Sequence, residues 1–142
     1  FGVKVGTSAH LGLIFGLAGP CTWFVPCSRE FSDYGAHNQR GVMKVRVKYV
    51  PGRFIWIEDL VALMEQQGSC PVYPLLKRED EKFVTERAYD NAKFIEDVLR
   101  DLVLALREQD GVTWFEVECE SFESIHNHSA YAFHEEGDRT PA

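Results

Sequence analysis

Apolar and polar positions alternate along this chain with two different periods, and the changes of period divide it into elements. Met43, Val45, Val47 and Tyr49 alternate with Lys44, Arg46 and Lys48. A period of two with one apolar face predicts a half-buried strand, ended by Pro51-Gly52. Phe115, Val117 and Cys119 alternate in the same way with Trp114, Glu116, Glu118 and Glu120, and His128 to His134 reads as a last strand. Near the start, Phe1, Val3 and Val5 alternate with Gly2, Lys4 and Gly6, which suggests a strand over 1–6; Gly12, Gly16, Gly19 and Pro20 then interrupt the pattern, leaving residues 1–24 poorly defined. Elsewhere the period is helical. Ile57, Leu60, Val61 and Met64 make one apolar stripe, with Gly68 as its stop. Phe94, Val98 and Leu102 form one row of a second helix, and Ile95, Leu99, Val103 and Leu106 form the neighbouring row. Asp90 or Asn91 is its expected cap and Gly111 its end. Residues 69–88, with Pro71, Pro74 and the charged run Lys77 to Lys82, read as a long connection. Residues 27–41 read as a polar loop and 135–142 as a polar tail.

The expected order is ββααββ. Two helices on one face of a four-stranded antiparallel sheet make an α+β fold, here one domain over residues 1–142. The outer face is basic on the second strand and acidic on the third, so the charges pair if those strands are neighbours.

Composition narrows the class. Apolar residues make up 45% and charged residues 26%, the balance of a globular protein. No apolar run reaches the ~20 residues of a membrane span. Leu11 to Ala18 is apolar but short, lacks a basic leader and is not read as a signal peptide. The formal net charge of −7 argues against a nucleic-acid partner, while leaving room for a small anion held by local Lys and Arg. Four cysteines without a CxxC pair suit reduced thiols in a cytoplasm.

Candidate chemistry gathers in two short segments. Cys27 and His37 share one loop; Glu123, His126 and His128 share another stretch. In an extended segment His126 and His128 point to the same face, and two imidazoles beside a carboxylate suit metal ligation or proton transfer. Taken singly, each has an ordinary reading: a core thiol, a solvated histidine, or a glutamate placed well for the helix dipole.

The run Pro26-Cys-Ser-Arg-Glu-Phe-Ser-Asp-Tyr-Gly-Ala-His-Asn-Gln-Arg40 closely resembles the PCSKEIS-x-YGAHNQR signature of type IB GTP cyclohydrolases. Leu76 to Asn91 resembles that family's LKR-x-DEK-[YF]-VTE-x-AY-x-N segment, and Phe94-Ile-Glu-Asp97 and Glu123-Ser-Ile-His-Asn-His-Ser129 match two further blocks. The four blocks are colinear and cover about residues 22–134. The resemblance implies the tunnelling fold (T-fold), whose unit is ββααββ, with its barrel completed by oligomerisation. It implies GTP as substrate, opened to 7,8-dihydroneopterin triphosphate and formate, and homo-oligomers with active sites at subunit interfaces, without nucleic-acid or membrane partners. It also implies a divalent metal (Zn, Mn or Fe) that activates the water attacking C8 of guanine. His37 and Glu81 match metal ligands, and Cys27 matches the reactive cysteine. Glu96 matches the guanine anchor, a carboxylate able to accept N1–H and the exocyclic amine together. Glu123, His126 and His128 match the cluster for proton transfer and for ribose or phosphate handling. Arg40, Lys77 and Arg78 are basic residues that suit contact with the triphosphate or, equally, plain surface solvation.

Two departures stand out. The family signature reads Cys-Pro-Cys, its first Cys a metal ligand, whereas this chain has Val25 there. Either Cys27 or Cys21 replaces the lost thiolate, or metal binds weakly, or catalysis is impaired. Family members are also about twice as long, so the chain is expected to correspond to their C-terminal T-fold unit. The alternatives to an active type IB enzyme are a non-catalytic purine-binding or structural T-fold unit, and an archaeal-type iron-dependent cyclohydrolase releasing a cyclic phosphate.

Overall fold

The computed structural model describes residues 8–19, 37–53, 55–122 and 127–137, with residues 37–38 and all of 8–19 except Gly12 described by their backbone. In chain order the elements are β1 (Ser8–Gly19), β2 (His37–Tyr49), α1 (Ile57–Glu65), α2 (Arg78–Asp90), α3 (Ile95–Arg107), β3 (Val112–Phe122) and β4 (Ser129–Gly137). The strands form one antiparallel sheet in the order β1-β2-β3-β4. The class is α+β, with three helices among the described residues.

The two alternating strands are central and neighbours. Met43, Val45 and Val47 of β2 and Phe115, Val117 and Cys119 of β3 point to one face. There they meet Leu60 and Met64 of α1 and Ile95, Val98, Leu102, Val103 and Leu106 of α3 in a single core. Each such side chain contributes roughly 1.5–3 kcal/mol when fully buried. The opposite face holds the expected charge ladder. Arg46 Nη1 lies 2.5 Å from Glu116 and Nη2 3.3 Å from Glu118, and Lys44 Nζ lies 3.4 Å from Glu118. Glu116 is only 5% exposed, and its pair with Arg46 offsets part of the cost of burying it. Trp114, also on this face, lies under Lys48 Nζ at 5.4 Å and donates its indole N–H to Glu135 at 3.0 Å.

Several boundaries differ from the sequence expectation. The strand expected over 1–6 lies outside the described residues. β1 instead runs through the glycine-interrupted stretch, because twelve consecutive register partners on β2 supply its ladder, something a periodicity cannot register. β2 begins at His37, so 37–41 is strand and not loop: Arg40 and Gly41 pair with Phe122 and Ser121 on one side and with Gly16 and Phe15 on the other. β4 continues to Gly137, which removes 135–137 from the expected tail. The connection over 69–88 contains α2, a third helix that buries only Ala88 and so carries no apolar stripe. Its signals are polar: Glu79, Asp80 and Glu81 in the first turn, Arg87 in the last, and Lys82 paired with Glu86 four residues on. α3 is capped by Phe94 and not by Asp90 or Asn91. Asp90 ends α2, and Asn91 Nδ2 donates to the carbonyls of Gly68 and Ser69 at 3.2 and 3.1 Å. α1 ends at Glu65, before Gly68, and α3 ends at Arg107, before Gly111.

At the far end of β3 the register slips by one residue between Lys48 and Tyr49, a bulge that leaves Thr113 without a register partner on β2. Gly137 faces this bulge at φ +98°, and a Cβ there would lie 2.2 Å from the Thr113 carbonyl oxygen. Only glycine meets both demands.

Candidate functional site

Several candidate residues fall toward one end of the sheet, here called its functional end as the candidate site, and topology defines it. β2 begins at His37, β3 ends at Phe122 and β4 begins at Ser129. Arg40 pairs with Phe122, and Phe122 pairs with Ser129, so the ends of β3 and β4 are level with Arg40, and β2 extends three residues further to His37. His37 opens β2 there, and His128 immediately precedes β4 two strands away, a lateral offset of roughly 10 Å. The two strand ends that flank residues 123–126 lie at this same end. Its described polar groups are knitted across the strands: Ser121 Oγ lies 3.3 Å from Gln39 Oε1, and Ser129 Oγ donates to Glu120 at 2.7 Å. The Gln39–Ser121 pair is a feature that composition alone does not single out, since its partners are 82 residues apart.

α3 points its N-terminus toward this end. Its last residue, Arg107, grips Glu136 with bonds of 2.6–3.1 Å, and Glu136 pairs with Phe115 near the start of β3. The helix therefore runs back from that end along β3 and β4, and Glu96, eleven residues before Arg107, lies about 16 Å away along the helix axis. Asp97 fixes that terminus: its Oδ2 accepts the Phe94 N–H at 3.1 Å and its Oδ1 accepts from Arg100 at 2.9 Å. The backbone bond first, and Arg100 second, hold the Asp97 carboxyl below its ordinary range.

A groove of about 280 Å³ follows α3 beside β4. Leu99, Val103 and Leu104 give it apolar walls, Glu96 and Arg100 stand at one end, and Arg107 and His134 at the other. The far end is electrostatically closed. Glu136 accepts from Arg107 and lies 3.0 Å from His134 Nε2, and its carboxyl is held down to about 2 by Arg107 first and His134 second. Among the described residues Glu96 has no ion pair or side-chain hydrogen bond.

The remaining candidates are distributed as follows. Cys27, Glu123 and His126 lie outside the described residues, as do Cys21 and Val25. His37 is placed by its backbone, in register with Gly19 of β1. Glu81 is exposed in the first turn of α2, a helix that packs against β1. His128 is exposed at the functional end. Arg40, Lys77 and Arg78 are exposed. The structure thus gathers His37, His128 and Glu96 toward one end of the sheet and places Glu81 on a separate helix over β1. No group of three or more His, Cys, Asp or Glu among the described residues is arranged to hold a metal ion. Cys70 and Cys119 are unpaired and buried; burial pushes the Cys119 thiol up to about 12. No helix among the described residues is long and apolar enough to cross a membrane.

Comparison with known proteins adds independent information. Residues 3–132 match the family model described as type I GTP cyclohydrolase folE2. The GTP cyclohydrolase FolE2 of Citrifermentans bemidjiense is 58% identical over 125 residues, 88% of this chain and 46% of the relative. That of Geobacter sulfurreducens is 57% identical over 135 residues, 94% of this chain and 52% of the relative. That of Magnetococcus marinus is 52% identical over 139 residues, 98% of this chain and 51% of the relative. The chain spans about half the length of the curated relatives it matches.

Proposed function

The chain belongs to the type I GTP cyclohydrolase FolE2 family, and from that premise we propose that it carries the GTP-hydrolysing site of a type IB cyclohydrolase. The reaction is hydrolysis of GTP to 7,8-dihydroneopterin triphosphate and formate, within a cytoplasmic homo-oligomer whose active sites lie at subunit interfaces. The observation that carries this reading is the match to the FolE2 family over residues 3–132, which takes in every candidate site residue.

In this reading the four-stranded sheet is a T-fold unit. β1 and β4 are the outer strands of the sheet, and open edges invite pairing with further copies into a barrel. Glu96 accepts N1–H and the 2-amino group of guanine. Cys27 is the reactive cysteine near C8, and Glu123, His126 and His128 handle proton transfer and the ribose or phosphate. Cys27, His37 and Glu81 make a thiolate–imidazole–carboxylate donor set that suits Zn, with Mn or Fe as other divalent choices. A bound divalent ion supplies Lewis acidity and lowers the pKa of water.

One observation favours a second reading. Val25 stands where the type IB signature has its first cysteine, and a valine side chain offers no donor atom. A purine-binding unit without turnover follows if Cys27 alone does not sustain metal binding.

The deciding assay incubates the protein with GTP and Mn²⁺ or Zn²⁺, oxidises the product and reads pterin fluorescence. Product is expected. GTP binding with no pterin under any divalent metal would leave the non-catalytic reading standing. Val25→Cys is expected to raise metal content by atomic spectroscopy; unchanged content would remove the missing ligand as an explanation. A linear triphosphate product is expected, and a cyclic phosphate would instead mark the archaeal-type chemistry.

A further inference from the structure

Glu96 by itself satisfies two of the three polar groups on the pairing edge of guanine. N1–H and the 2-amino group are donors, and a carboxylate accepts both. The third group, O6, is an acceptor and needs a donor that a carboxylate cannot supply.

Arg100 is placed to supply it. It follows Glu96 by four residues, which puts both on one face of α3 about 6 Å apart along the axis. Both stand at the same end of the groove along β4. The guanidinium is held from behind: Asp97 Oδ1 takes its Nη1 at 2.9 Å, while Asp97 Oδ2 is committed to the Phe94 N–H. Arginine carries five N–H donors, so one engaged bond leaves the rest of the fork for a ligand. Leu99 and Leu104 offer apolar surface to an aromatic face. At the other end Arg107 is neutralised by Glu136 in a bidentate pair, so the groove favours a neutral base over a phosphate chain.

We infer that Arg100 is a specificity-determining residue, donating to O6 of guanine while Glu96 accepts from N1–H and the 2-amino group. This rests on the proposed role of Glu96 as the base anchor. Adenine is rejected twice: its unprotonated N1 faces a carboxylate, and its 6-amino group faces a guanidinium. A site that hydrogen-bonds specific substrate groups discriminates against a ligand whose groups cannot pair with them.

The test is a binding matrix, measured by equilibrium dialysis without added divalent ion so that no turnover intervenes. The proteins are the wild-type chain, Arg100→Met and Glu96→Gln. The probes are GTP, 6-thio-GTP, which weakens the acceptor at position 6, and ITP, which lacks the 2-amino group. Arg100→Met keeps the aliphatic stem on an exposed helix position, and an unchanged melting temperature verifies its fold. Wild type is expected to prefer GTP over both analogues. Arg100→Met is expected to bind GTP about tenfold or more weakly, to lose the preference over 6-thio-GTP and to keep the preference over ITP. Glu96→Gln is expected to show the converse pattern. If Glu96→Gln weakens GTP while Arg100→Met binds it like wild type, or still discriminates against 6-thio-GTP, Arg100 has no such role and the anchor survives. If Glu96→Gln also leaves GTP binding unchanged, or wild type binds no GTP, the anchor falls and this inference with it.

Discussion

α2 and α3 are both 13 residues long, both start with acidic first turns, and both have an aspartate at the third helical position accepting the N–H of the capping residue. They are stabilised in opposite ways. α3 buries Ile95, Val98, Leu102, Val103 and Leu106, whereas α2 buries Ala88 alone. α3 is therefore a structural member of the core. α2 depends on its cap, the Lys82–Glu86 pair, the Arg87–Phe83 cation–π contact and its seat against β1. Each carries a candidate site glutamate in its first turn, Glu96 on the anchored helix and Glu81 on the weakly anchored one. A base-reading group benefits from a rigid platform. A metal ligand on a weakly packed helix can instead gain order from the ion it binds.

The largest effect that separates the helices is expected in their apolar side chains. Leu102→Ala empties a fully buried position and is expected to cost about 2–5 kcal/mol in urea unfolding. Phe83→Ala, at a position 56% exposed, is expected to cost less than about 1 kcal/mol. Equal losses would mean that α2 is as much part of the core as α3.

The buried thiols report the same contrast kinetically. Cys70 packs with Ala88 and Val84 of α2, and Cys119 sits in the core under α3. Burial raises both thiols, partly offset at Cys70 by Arg87, and takes Cys119 to about 12. Alkylation at pH 8, resolved by peptide mass spectrometry, is expected to label Cys70 at least about tenfold faster, through local opening of α2. Cys119 is expected to label at the rate of global unfolding. A single shared rate would show that the helices open together.

Caps come next. Asp80→Ala removes the acceptor for the Lys77 N–H at 3.0 Å and is expected to cost α2 about 0.5–1 kcal/mol locally. Hydrogen exchange should lose protection over residues 80–84 while the urea midpoint holds. A moved midpoint would tie α2 into the global transition.

The smallest effect is at the α3 C-terminus. Glu136 is lowered from an ordinary 4.5 to about 2, by Arg107 first and His134 second. A depressed carboxyl contributes stability above its unfolded pKa and loses it as pH falls through the folded value, so this tie loosens only between about pH 4.5 and 2. Arg107→Gln is expected to raise the midpoint in carbon-detected NMR with little change in stability, because the pair is exposed. An unmoved midpoint would assign the shift to His134.

Much of the fold was legible in the chain. β2, α1, α3 and β3 announced themselves because one face of each is buried, and burial imposes a period. Even the cross-strand charge ladder followed from Lys44, Arg46, Glu116 and Glu118. α2 was illegible to the same reading because it buries one alanine. β1 and the start of β2 were hidden because glycines and polar residues there are held by neighbouring strands. The candidate site was legible mainly through the colinear blocks around Cys27, Glu81, Glu96 and His128. The Gln39–Ser121 contact and the pairing of Arg107 with Glu136 were not.

By itself, then, the sequence determined which segments have a buried face, which charges oppose one another and that the chain is related to the GTP cyclohydrolases, because periodicity and motif are properties of neighbours along the chain. Only the tertiary structure decided that His37, His128 and Glu96 share one end of the sheet. Only it set Arg107 against Glu136 at the far end of the groove that Glu96 and Arg100 open. Those relations depend on strand order, register and the direction in which α3 lies along β4, and no local pattern encodes them.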